Sequence, residues 1–392
     1  MKKMLWIFFI MIILLFVAGC KDDDEEQTPI EEGKLLPQQN EHGTVSPKES
    51  CGNGVCDTIE QEKGICPEDC SSEILENTQT WDVPNVDLSD LDVDTPVESG
   101  VVYITMMVHL EGWNTEDTSE DEFNQHVATV DDFAKMFEEH NAKATFEVNP
   151  AFIDAVGNWH STFLNDLYDR GHGIGVHADA GGSADRDGLT QEEFTQEIAL
   201  LRQQLEQETG LDIRHVSGIC SSLDWVQAAI NAGYQFTSGM VGYCAMALPE
   251  NERPEEYSNC PNPSACHGEM PLELTDRVHP WRVSTADNFL EDDSNGKLVV
   301  FASENILAAI GSGSTADLDQ TDIDEFTDRL DEALTYSNEG KVTKVYVGWS
   351  IGSSSKINEE LFEKWFDAIQ PYVDSGQVKW KTIPEMYDAY VS

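Results

Sequence analysis

Basic residues are scarce in this chain of 392 residues. It has 23 Lys and Arg against 74 Asp and Glu, a formal net charge of -51 at pH 7. A surface of that sign repels phosphate backbones, which argues against nucleic acid as a partner. The acids are not confined to one tail and recur in every segment after residue 20. That spread fits a surface adapted to high salt, where counter-ions screen self-repulsion; an acidic tail with a chance excess elsewhere is the plainer account. Apolar material is not lacking. Hydrophobic residues make up 40% and aromatics 9%, enough for a sizeable core and against global disorder. The length excludes a single small module and fits two or three domains, or one large α/β barrel with small appendages.

Met1-Lys2-Lys3 precede an unbroken apolar run over 4–17. This is the charged start and short core of an export signal, too short for a comfortable membrane span. The run ends Val17-Ala18-Gly19-Cys20, which resembles a lipobox. The resemblance implies that 1–20 is a lipoprotein signal peptide and that Cys20 is acylated. The mature chain would then be lipid-anchored at the extracytoplasmic face of the cell membrane. A plain signal peptide or an uncleaved anchor is the alternative, and either also places the chain outside the cytoplasm. Residues 21–49 carry acid blocks, Pro, Gly and Gln with almost no apolar periodicity. They read as a disordered acidic linker that holds the folded part of the chain away from the lipid.

Cysteine is also sparse, nine in all. Setting Cys20 aside leaves an even number in a chain expected outside a reducing compartment, which favours disulfides. Cys51, Cys56, Cys66 and Cys70 define a small module over 50–72, similar to short Cys-rich repeats of secreted microbial proteins. Two staples there would replace a core too small to form alone. The oxygens of Asn53, Asp57, Glu60 and Asp69 would suit calcium, although no loop matches an established calcium motif, and four-thiolate zinc is a third account. Residues 73–97 read as a second linker. Cys220, Cys244, Cys260 and Cys266 fall in the remaining domain, 98–392. Cys260 and Cys266 flank a Pro- and Asn-rich loop that their pairing would close, but the full pairing stays open.

In that domain short β-rich runs alternate with amphipathic ones, the pattern of a parallel α/β architecture. The strands expected are 101–108, 143–148, 173–177, 213–218, 234–238, 297–303, 343–349 and 377–383. The helices expected are 122–140, 191–207, 322–337 and 359–372, the first with Val127, Val130, Phe133, Met136 and Phe137 on one face. About eight strands over roughly 290 residues fit a (β/α) barrel, in which chemistry sits at the strand C-terminal ends. The first strand ends in His109 and Glu111 and the third in His177 and Asp179, each pair on one face by alternation. Two imidazoles and two carboxylates at one mouth would hold a divalent metal, zinc first, and activate water.

The run Lys143-Ala144-Thr145-Phe146-Glu147-Val148-Asn149 resembles the second-strand signature A-T-F-F-V of polysaccharide deacetylases, the NodB-homology or carbohydrate esterase family 4 fold. Gly171-His172-Gly173-Ile174-Gly175-Val176-His177 is similar to that family's G-H-E-I-G-x-H, and 228–234 resembles its A-x-x-x-x-G-Y. The resemblance covers most of 98–392. It implies a distorted barrel of seven or eight β/α units, a metal-dependent hydrolase that removes N- or O-acetyl groups from an extracellular or envelope polysaccharide. By position it makes Glu111 and His177 metal ligands and puts His109 at the base position, where an imidazole suits general base work.

The chain departs from the family pattern at three places. The second metal His would fall at Gly181, so Asp179 is the nearest replacement ligand. The usual R-P-P-Y-G reads Ser217-Gly218-Ile219-Cys220-Ser221. The late I-L-L-H element ends without His, leaving Glu304 or His279 to protonate the leaving group. Trp281 and Arg282, with Trp113 after the first strand, are the expected sugar contacts. Because of the losses, a catalytically degenerate fold that binds glycan or protein is the rival reading.

Overall fold

The computed structural model describes residues 98–111, 115–268, 270–272, 277–302, 320–352 and 357–392. The expected signal peptide, linkers and Cys-rich module with its calcium reading, and with them Cys20, Trp113 and Glu304, lie outside the described residues.

Strand β1 (Val102–Leu110) carries Val102, Ile104, Met106, Val108 and Leu110 on one face, all inaccessible to solvent. Burial of both faces along its length marks a parallel strand covered on each side. Chain order continues with α1 (Glu120–Glu139), β2 (Ala144–Val148), α2 (Pro150–Asn158), α3 (Phe163–Asp169) and β3 (Gly173–His177). Then come α4 (Gly181–Asp187), α5 (Gln191–Thr209), β4 (His215–Ser217), α6 (Trp225–Asn231) and β5 (Phe236–Ser238). The last part holds β6 (Trp281–Val283), β7 (Leu298–Phe301), α7 (Gln320–Tyr336), β8 (Thr343–Ile351), α8 (Glu359–Asp374), β9 (Val378–Trp380) and α9 (Ile383–Val391). All eight expected strands and all four expected helices are present, with ends shifted by a few residues.

The sheet runs β6-β7-β5-β4-β3-β2-β1-β8, and β9 pairs with β1. Every pairing is parallel except β6 against β7. Among the described residues no backbone ladder joins β8 to β7, but side chains cross that seam. The Tyr346 hydroxyl donates to the Phe301 carbonyl at 2.6 Å and accepts the Gly239 N–H at 3.0 Å. Lys344, also on β8, donates from Nζ to the carbonyls of Arg277 and Ala302. The result is the distorted (β/α) barrel, open at one seam.

Alternation along the strands sorts the side chains. One face of β1, β2, β3 and β7, with Phe133, Phe137, Ile198 and Trp365 of the helices, makes the larger apolar cluster. The opposite face points inward. There Tyr103, Met107, Phe236, Val299, Phe301 and Tyr346 form a smaller cluster with Ile383 and Met386 of α9. On the same inward stripes, toward the strand C-termini, stand His109, Glu147, His177, Ser217 and Ser238, with His215 at the start of β4.

The helices form where caps and stripes agree. Ser119 caps α1, its hydroxyl accepting the Glu122 N–H, and Phe123, Val130, Phe133 and Phe137 make the buried stripe. Thr190 and Glu193 close a capping box on α5, which Gly210 ends at φ +70°.

Candidate metal centre

His109 is the last inward residue of β1, and Glu111 lies just past the strand end, where its N–H donates to the Ile351 carbonyl of β8 at 3.2 Å. His177 ends β3. One ligand atom each from His109, Glu111 and His177 lies within 4.8 Å of the other two. Glu111 Oε1 is 3.4 Å from His109 Nδ1 and 3.7 Å from His177 Nε2. The two imidazoles stack, with ring centroids 3.8 Å apart and planes 21° from parallel.

The turn after β3 is fixed by its neighbour strand. The N–H groups of Ala178, Ala180 and Gly181 donate to the carbonyls of Ser217 and Gly218. Asp179 takes φ +48° in this turn and is exposed. Gly218 is itself at φ +69°, and a Cβ there would stand 3.0 Å from His177 Cε1 and 2.7 Å from the Asp179 nitrogen. Gly175 leaves room for the His215 ring, since a Cβ would fall 2.5 Å from its Nδ1.

Under the cluster sits Glu147, wholly buried on β2. The Ser238 hydroxyl donates to its Oε1 at 2.7 Å, and the Ser217 hydroxyl donates to its Oε2. His215 Nε2 is 3.1 Å from Oε1 and 2.8 Å from the Ser238 hydroxyl. His109 Nε2 is 3.1 Å from Oε2, although its N–H is aimed off that oxygen, so this contact is ionic more than an aligned hydrogen bond. His177 Nδ1 is 2.8 Å from the Ser217 hydroxyl.

Electrostatics divide the imidazoles. Burial alone would lower the His109 pKa, but the carboxylates of Glu111 and Glu147 outweigh it and raise it to about 9. His177 is pushed down to about 3, first by burial and then by the charge of His109. Burial works against ionisation of Glu111 and Glu147, yet the neighbouring imidazoles hold both near 2. Partial desolvation, followed by the charge of Glu111, raises the Asp179 carboxyl, although the residue keeps its solvent access.

Two imidazole nitrogens and one carboxylate oxygen, partly open to solvent, are the donor set of a catalytic zinc-type site with a free position. The residues present therefore fit a divalent cation. The third member is His109, which the resemblance put at the base position, and Asp179, the expected replacement ligand, is outside the 4.8 Å cluster. The missing second His has a steric cause, because a Cβ at Gly181 would stand 2.0 Å from the Cys220 carbonyl oxygen. Both His109 nitrogens face carboxylates, which leaves neither bare to act as a base.

Other expected positions fall elsewhere. Trp281 is buried on β6, and its Nε1 donates to the Phe289 carbonyl at 2.8 Å, so it packs in the core and offers no sugar platform. Arg282 lies over the Tyr390 ring of α9. His279 is buried against the Val342 carbonyl, ahead of β8, whereas Ser350 near the far end of β8 bonds to Glu111, so His279 is at the wrong end to donate a proton. Cys220 pairs with Cys244 and Cys260 with Cys266, the second closing the expected loop. That loop walls a cavity of about 400 Å³ beside Asp179, lined also by Ser183, Asp185, Arg186, Tyr243 and Asn262. A second cavity, of about 380 Å³, is at the opposite end of the strands against Gly173 and α9, and neither His109 nor His177 lines it.

Sequence reasoning missed Glu147, His215, Ser217 and Ser238 as a group. One signal was available: an acid inside the apolar run Ala144–Val148, on the same inward face as Thr145, must be paired once buried.

No protein-family model matches the chain. No curated protein matches it. Solved structures similar to it include a Mycobacterium smegmatis protein assigned as a polysaccharide deacetylase, at 11% identity over 76% of this chain and 93% of that one, with a TM-score of 0.47. Another is the PuuE allantoinase, at 10% identity over 74% and 90%, TM-score 0.45. A third is 4-alpha-glucanotransferase from Thermococcus litoralis, at 14% identity over 73% and 38%, TM-score 0.44. A family 4 carbohydrate esterase and two peptidoglycan deacetylases are also among the similar structures. At these identities and TM-scores the likenesses carry no weight for the chemistry, which rests on the residues above.

Proposed function

We propose that the domain is a metal-dependent hydrolase that removes N- or O-acetyl groups from an extracellular or envelope polysaccharide, carried on a lipid-anchored chain. The observation that carries this reading is the convergence of His109, Glu111 and His177 at the mouth of the barrel. When bound, a divalent cation, zinc first, supplies Lewis acidity to an acyl carbonyl and acidifies water. His109 Nδ1, His177 Nε2 and Glu111 would hold it. Asp179, exposed beside the cluster with its proton affinity raised, would accept the proton of the attacking water. Glu304 would protonate the leaving group and Trp113 would stack on the sugar; the cavity beside Asp179 offers room for the ring.

The second reading is a binding protein built on the same fold. It is favoured by the closed space at Gly181, which bars one histidine that the resemblance would require.

Metal analysis of the full-length protein separates them. About one equivalent of zinc, manganese or cobalt is expected, and it is lost in both His177→Ala and Glu111→Ala. Acetate release from acetylated chitooligosaccharides or peptidoglycan should stop on adding chelator. A metal-free protein that still binds glycan would establish the second reading instead.

A further inference from the structure

We infer that Glu147 is the positioning residue that fixes which nitrogen of each imidazole faces Glu111: Nδ1 of His109 and Nε2 of His177. The consequence for metal rests on the hydrolase reading, but the hydrogen-bond geometry stands without it.

The donors and acceptors around Glu147 leave one arrangement. Glu147 is buried among two serine hydroxyls and two imidazole nitrogens, and an ionised carboxylate only accepts. Each carboxylate oxygen takes one serine hydroxyl. Ser217, having donated its single proton to Glu147, has only lone pairs left for His177, so His177 Nδ1 must carry the proton that bridges their 2.8 Å contact. Its Nε2 is then bare and points toward Glu111. Ser238 repeats the pattern, donating to Glu147 and accepting from His215 Nε2. His109 needs no relay: its Nε2 stands 3.1 Å from Glu147 in an ionic contact, which turns Nδ1 toward Glu111 as the nitrogen a cation would take over.

One carboxylate thus orients both imidazoles, one by contact and one through a hydroxyl. Removing such outer contacts commonly changes metal affinity roughly 10- to 100-fold. Gly218 and Gly175 complete the support: the first leaves space at the His177 ring, the second at the His215 ring.

Long-range proton–nitrogen spectra of the full-length protein with ¹⁵N-labelled histidine, metal-free and near neutral pH, read the tautomer directly. His177 should carry its proton on Nδ1. In Glu147→Gln, whose amide can donate back to Ser217, the Nε2-protonated form should appear. Ser217→Ala should lose the His177 preference and leave His109 as it was, which covers failure of the first variant to fold. In titrations with zinc and with cobalt(II), Glu147→Gln should bind roughly 10- to 100-fold more weakly, and Glu147→Asp should recover part of that loss. An Nε2-protonated His177 in the parent protein overturns the proposal, as does a Glu147→Gln variant with unchanged tautomers. A parent protein that binds no metal sinks the hydrolase reading alone, since the tautomers still judge Glu147.

Discussion

Single residues here are decided by the proton each one can hold. His172 is the simplest case. It is buried, its Nδ1 accepts the Ala144 N–H at 3.2 Å, and its Nε2 is 3.1 Å from Glu138, which also pairs with Arg170. Burial lowers its pKa below the ordinary 6.5, and the opposing pull of Glu138 does not restore it. The folded protein therefore binds this proton less readily than the unfolded chain. The contribution to stability is fully present above about 6.5 and is lost as pH falls toward the depressed value, at a rate of at most about 1.4 kcal/mol per pH unit. Unfolding free energies measured from pH 7 to 5 should fall more steeply for the parent than for His172→Asn; parallel slopes would refute this. The same accounting separates residues that the sequence exposed from those it hid. His109, Glu111 and His177 were visible because histidine and glutamate at strand ends are chemically conspicuous. Glu147 gained its meaning only from Ser217, 70 positions away in the chain.

Strands and helices divide by length and by the clarity of their period. The nine-residue β1 and β8 and the long helices α1, α5, α7 and α8 were all legible. The three-residue β6 was not, since its antiparallel pairing with β7 depends on a partner distant in sequence. The seam between β8 and β7 is also a matter of elements, since side chains carry what backbone ladders carry elsewhere. Tyr346→Phe removes the hydroxyl that satisfies both the Phe301 carbonyl and the Gly239 N–H. It should cost about 1–3 kcal/mol in denaturant unfolding. A change within error of zero would mean that the seam is held by its other contacts, Lys344 among them.

Across the whole molecule the excess of acid is the dominant force to be balanced. The long helices put acids in their first turns, where the dipole favours them, but have no basic residue in the last turn. With a net charge of -51, self-repulsion opposes the compact state until counter-ions screen it. The midpoint of thermal unfolding should climb by several degrees as potassium chloride rises from dilute to molar; a flat or falling midpoint would remove the case for a salt-adapted surface.

Local order in the chain was enough to determine the alternation of strand and helix and the strand ends where reactive side chains would appear, because those depend on periods of two and 3.6 residues and on near neighbours. It did not determine that Asp179 stays outside the cluster of His109, Glu111 and His177, that Trp281 turns into the core, or that a buried Glu147 ties four strands together. Those outcomes depend on which strands become neighbours and on how much room a glycine leaves. Such distances are set by the closing of the sheet, and no local pattern encodes them.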